Sequence, residues 1–77
     1  MRVSRGRCLL LNWIEKKGWT QAEYARRSRT HKRVVSHFCN SERTMKPEDE
    51  YLASLLLDCR MEDLHEFIIE YDEEDEN

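Results

Sequence analysis

Apolar positions recur along this chain at helical spacing, in short blocks broken by polar runs. Leu10, Trp13 and Ile14 share a face with Lys17 and predict a first helix over about Arg7–Lys17. Gly18 suits the left-handed position that ends a helix, and Trp19 reads as a core plug after it. Thr20, with Glu23 three residues on, has the form of a capping box, so a second short helix carries Ala22, Tyr24 and Ala25. The run Ser28-Arg29-Thr30 interrupts the period. A third helix is expected over His31–Cys39, with Val35 and Phe38 inward, Lys32, Arg33, Ser36 and His37 on the other faces, and His31 as its cap.

After Asn40, residues 41–46 read as a polar loop. Pro47 fits the first turn of a fourth helix, where Glu48, Asp49 and Glu50 complement its positive end. Leu52, Leu55, Leu56 and Cys59 are its expected inward face, with Leu57 off it. A break near Arg60 leads to a fifth helix over about Glu62–Ile69, where Leu64, Phe67, Ile68 and Tyr71 recur at i, i+3, i+4 and i+7. That stripe either caps the monomer core or forms a dimer face. The fold expectation is therefore all-α: a compact bundle of about five short helices over residues 1–69, with an acidic, disordered tail at 70–77.

Two helices joined by a tight turn, the second basic and polar outside, describe a helix-turn-helix. Thr20-Gln21, Tyr24-Ala25, Val35-Ser36 and Asn40 fall in an order that resembles the phage repressor and Cro-like (XRE-type) helix-turn-helix family. The resemblance spans roughly Leu9 to Leu64, with Leu10, Trp13, Ile14, Gly18 and Trp19 upstream and Arg43 and Pro47 downstream. It implies a lambda-repressor-like domain acting as a transcriptional regulator, a repressor of phage or mobile-element type. Lys32, Arg33, Ser36 and His37 would then face the bases, while Gln21, Asn40, Arg43 and Arg29 contact phosphates. The family usually has Gly in the turn, where this chain has Arg29. Either the turn takes another shape or Arg29 bears the strain of positive φ.

Charge sharpens the picture. Residues 1–46 hold twelve Lys or Arg against three Glu, a net of +9, whereas residues 47–77 hold one Arg against thirteen carboxylates, a net of −12. The overall −3 hides a basic half suited to double-stranded DNA. Arg2, Arg5 and Arg7 lie in a stretch with no apolar period, either a frayed end or a basic arm for phosphates or the minor groove. The acidic tail is either solvated or a phosphate mimic that competes for the basic half.

Seventy-seven residues make one domain too small to enclose a substrate cleft. No apolar run approaches membrane-spanning length and no signal-peptide pattern appears, so the expected location is the cytoplasm. Cys8, Cys39 and Cys59 have no CxxC pairing and read as free thiols; a zinc site from His37, Cys39, Cys59 or His65 lacks ligand spacing. Neither an enzyme, a metal nor a cofactor is expected. The competing reading is a protein-interaction adaptor or antirepressor on the same fold, using the fifth helix and the acidic C-terminus.

Overall fold

The computed structural model describes residues 1–72. Residues 73–77, most of the segment on which the disordered-tail expectation rests, lie outside the described residues. The architecture is mixed α/β, which corrects the all-α expectation. Strand β1 (Arg2–Cys8) is followed by helices α1 (Leu10–Lys16), α2 (Gln21–Ser28), α3 (Lys32–Cys39) and α4 (Pro47–Leu57). A 3₁₀ turn (Met61–Leu64) then leads into strand β2 (His65–Glu70), which pairs antiparallel with β1 in a two-stranded ribbon.

Both corrections have one cause. Phe67-Ile68-Ile69 is an aromatic and β-branched run, a sequence that favours an extended backbone when a partner strand exists. The partner is the basic N-terminal stretch. Arg2 pairs with Glu70, Val3 with Ile69, Ser4 with Ile68 and Arg5 with Phe67, and an irregularity between Arg5 and Cys8 precedes the Cys8–His65 pair. Residues 1–7 are therefore neither frayed nor a free arm, and the expected fifth helix is replaced by the 3₁₀ turn and β2. Cross-strand charge reinforces the register: Arg2 meets Glu70 at 3.3 Å and Arg7 meets Glu66 at 3.6 Å. Gly6 suits a close approach of the strands, since a Cβ there would lie 3.1 Å from the Glu66 carbonyl oxygen and the partner strand would have to give by a few tenths of an ångström.

The core lies among the helices. Leu10, Ile14, Val35, Ala53 and Leu64 are fully buried, joined by Tyr24, Phe38, Met45 and Leu57. On α4 the inward residues are Glu50, Ala53 and Leu57, a stripe rotated from the expected one; Leu55 is exposed and Leu52 and Leu56 are half-buried. Trp13 anchors its indole by donating from Nε1 to the Asp63 carbonyl at 2.9 Å.

All four helices stop in the same way. In each, two amides past the last turn reach back into it. Gly18 and Trp19 donate to Glu15 and Ile14, Arg29 and Thr30 to Arg26 and Ala25, and Ser41 and Glu42 to Phe38 and His37. At α4, Asp58 and Cys59 both donate to the Ser54 carbonyl. This is the Schellman arrangement, which needs a left-handed residue at the stop. Those residues are Gly18 (φ 84°), Arg29 (56°), Ser41 (60°) and Asp58 (55°), so a single glycine serves four left-handed stops. Arg29 takes the positive-φ form, and the turn keeps the shape that a glycine would give it.

Candidate nucleic-acid interface

The two motif helices are fixed at their starts by side chains. Thr20 Oγ1 accepts from the Glu23 amide at 3.1 Å, and His31 Nδ1 accepts from the Arg33 amide at 3.0 Å. The expected capping box at Thr20 forms only in half. The Glu23 carboxylate turns instead to Arg26 and Arg27, whose hydrogen bonds hold it below the usual carboxylate range, Arg26 contributing most. Arg27 also lies 4.4 Å above the Trp19 ring. Two of the cations of α2 are thus committed within the protein.

Helix α3 is different. Val35 and Phe38 are buried in the core. At roughly 100° per residue, Lys32, Arg33, Ser36 and His37 occupy an arc of roughly 140° on the opposite side. Lys32 and Arg33 are exposed, while Val34, Ser36 and His37 are half-buried. Beyond the helix, Asn40 and Arg43 are exposed, and Gln21 is half-buried at the start of α2.

Ion pairing sorts the basic half. Arg2, Arg5, Arg7, Lys17, Arg26 and Arg27 each have a carboxylate partner, and Lys16 stacks over Trp13 at 4.8 Å. Among the described residues, Arg29, Lys32, Arg33, Arg43 and Lys46 have none. Among the described residues, the cations of 1–46 with neither a carboxylate partner nor a ring contact therefore run from the α2–α3 turn, along α3, into the following loop. Of the arm arginines, Arg5 is paired with Glu50 yet borders that surface, at a cleft that it lines with Arg43.

The expected dimer face does not exist as one stripe. Leu64 is fully buried, Ile68 lies on one face of the ribbon and Phe67 on the other, and Tyr71 is exposed beyond β2. Val3, Phe67 and Ile69 instead share a ribbon face.

Two ionisable residues, one from α4 and one from β2, are buried. Glu50 and His65 meet beneath the ribbon, where Glu50 Oε2 is 3.5 Å from His65 Nδ1 and 3.4 Å from Arg5. His65 Nδ1 makes no hydrogen bond. Burial, helped by the Arg5 cation and opposed by the Glu50 carboxylate, lowers the His65 pKa and keeps its imidazole neutral. The signal for Glu50 was its place at i with Ala53 and Leu57 at i+3 and i+7.

The cysteines are poor nucleophiles. Burial raises Cys8 and Cys59 and pushes Cys39 up to about 11. Among the described residues, no cluster of three or more His, Cys, Asp and Glu could hold a metal ion, and no helix is long and apolar enough to cross a membrane. Comparison of the chain with protein-family models, with curated proteins and with solved structures finds no match.

Proposed function

We propose that the protein is a sequence-specific DNA-binding regulator that lays α3 in the major groove of double-stranded DNA. The observation that carries this reading is the sorting of cations. Intramolecular pairing engages the arginines of the ribbon and of α2, and among the described residues leaves Arg29, Lys32, Arg33, Arg43 and Lys46 without a carboxylate along one segment around α3. Arg33 and Lys32 have the length and donors to reach guanine O6 and N7, and Ser36 and His37 line the same face. Gln21, Asn40, Arg29 and Arg43 flank it as phosphate contacts, which hold the helix in register without reading sequence. Such a regulator works in the cytoplasm, on chromosomal or mobile-element DNA.

The test is selection of sites from a random duplex pool, followed by binding of variants at fixed salt. Arg33→Ala is expected to cost about 1–3 kcal/mol on the best site and to relax preference at one or two base pairs. Arg29→Ala is expected to weaken all sequences evenly and to lower the salt slope by about one. Equal, uniform losses from both variants would remove α3 from the role of reader.

A second reading is favoured by the ribbon. Val3, Phe67 and Ile69 are each about half exposed on one face of a two-stranded sheet, at 56%, 46% and 50%. An apolar strip of this kind serves protein association. A homodimer joined through the strip would present two copies of α3 to two half-sites, so this reading extends the first.

A further inference from the structure

A small cleft of about 170 Å³ opens where three segments distant in sequence converge. Arg5 and Gly6 come from β1, Ser41, Arg43 and Thr44 from the loop after α3, and His65 from the start of β2. The volume falls below the roughly 300–1,000 Å³ typical of pockets for larger organic ligands, so its occupant is an ion or a single small group.

The donors are unusually concentrated for that size. Arg5 is tethered from behind: its guanidinium donates to the Glu50 carboxylate at 3.4 Å and to the Met45 carbonyl at 3.5 Å, yet its side chain stays 37% exposed. Glu50 is buried and does not line the cleft. Arg5 compensates its charge, so the surplus positive charge at the opening is that of Arg43. Among the described residues, the Arg43 guanidinium and the Thr44 hydroxyl have no protein partner. Ser41 is locked in place by its left-handed backbone and by accepting the Cys8 amide at 3.4 Å on Oγ. That left-handed φ is the stop of α3, so the turn that ends the helix also holds the Ser41 hydroxyl beside the unpaired Arg43 and Thr44 donors.

We propose that this cleft binds the tetrahedral anion of a phosphate group, held by Arg43 and Arg5 with Thr44 and Ser41 as hydroxyl donors. The free Arg43 fork, the exposed side of the tethered Arg5 guanidinium and two hydroxyls, brought together from β1 and the loop after α3, match four oxygens disposed in three dimensions better than the two coplanar oxygens of a carboxylate. Gly6 contributes a wall with no side chain to obstruct the anion. The phosphate comes either from a nucleic-acid backbone or from a free phosphate compound. The inference does not rest on base reading by α3.

The experiment is an amide and imidazole NMR titration of the full chain with inorganic phosphate at constant ionic strength, with acetate and chloride as controls. Saturable shifts confined to Gly6, Ser41, Arg43, Thr44 and His65, half-complete on the order of millimolar phosphate, are expected. Arg43→Ala, an exposed loop variant, is expected to weaken them about tenfold or more, and Thr44→Val by less. A second arm adds a short nonspecific duplex. If the duplex moves the same resonances and phosphate competes, the source is the DNA backbone; if phosphate saturates the site and the duplex leaves it unmoved, the ligand is a free phosphate compound. Shifts that rise linearly without saturating, that acetate reproduces, or that survive in Arg43→Ala would overturn the proposal. Loss of duplex binding alone, with the phosphate site intact, would count against the DNA reading and not against the cleft.

Discussion

Replacing Arg29 with glycine is expected to make the protein more stable, although it removes a long side chain from the candidate interface. Arg29 closes α2 with φ 56°, and its amide and that of Thr30 complete the Schellman bonds at 3.4 and 3.1 Å. A left-handed conformation costs an ordinary L-residue about 1–2 kcal/mol, which glycine avoids. Glycine in turn loses about 0.5–1 kcal/mol more backbone freedom on folding. The difference favours Arg29→Gly by about 0.5–1 kcal/mol. For a domain of this size, that places the Tm of Arg29→Gly roughly 2–8 °C above that of Arg29→Ala, and by less above the unmodified protein, which keeps the cation. The side chain itself adds little to the fold, since Arg29 is exposed and pairs with no carboxylate among the described residues. Its cation near the end of α2 is worth at most about 0.3–1 kcal/mol through the helix dipole. Arg29→Ala separates the two contributions: it loses the cation, keeps the left-handed cost and should sit slightly below the unmodified protein. The assay is thermal and urea unfolding followed by circular dichroism for all three proteins at one pH and salt. An Arg29→Gly variant no more stable than Arg29→Ala would refute the argument, because both lack the cation and differ only in their backbone preferences.

The pH dependence of folding should carry the mark of His65. Its pKa is lowered on folding, so its contribution is fully present above the unfolded value of about 6.5 and is lost as pH falls below it; urea midpoints should drop between pH 7 and 5 more steeply than in His65→Gln, and a gain on acidification would mean that pairing with Glu50 outweighs burial. Leu64, fully buried beneath the ribbon, should cost about 2–5 kcal/mol as Leu64→Ala, and a loss below about 1 kcal/mol in denaturant unfolding would show that it does not anchor the core. Phe67→Glu should leave the helical circular dichroism unchanged while abolishing any self-association seen by sedimentation at hundreds of micromolar, and an unaltered dimer would place the contact elsewhere.

Helices α2, α3 and α4 were largely legible in the sequence because their determinants are local. Thr20 lies three residues from the amide that it caps, His31 two from its own, and Pro47 opens α4 directly. The helix stops were harder to read, since three of four use Arg29, Ser41 and Asp58 where glycine is the usual marker. The ribbon was misread for a different reason. Leu64, Phe67, Ile68 and Tyr71 fit a helical period, and only pairing with a strand far away in sequence makes the segment extended. The basic start and acidic end looked like an arm and a tail. Their register instead places Arg2 on Glu70 and Arg7 near Glu66. The same long-range closure buries Glu50 and His65 and creates the phosphate cleft, so no local pattern could announce it.

The ribbon also dictates an order of events when the chain folds. Arg2 and Glu70 are 68 positions apart, whereas the amides that close each helix reach back only five residues at most. Local helical contacts form on the microsecond scale, while a strand pair that spans most of the chain must first meet the entropy of closing that loop. During synthesis β1 is made first, and its partner β2 appears only after all four helices. For that interval the first strand waits as an unpaired, cationic segment. The expected order is that the helices condense without it and the ribbon joins last. Its backbone hydrogen bonds, exposed on both faces, should then be the first to open in native-state hydrogen exchange, well before those of α1 and α3. A ligand that engages Arg5 and His65 together with Arg43 would draw this last-formed, first-lost element into the cooperative unit.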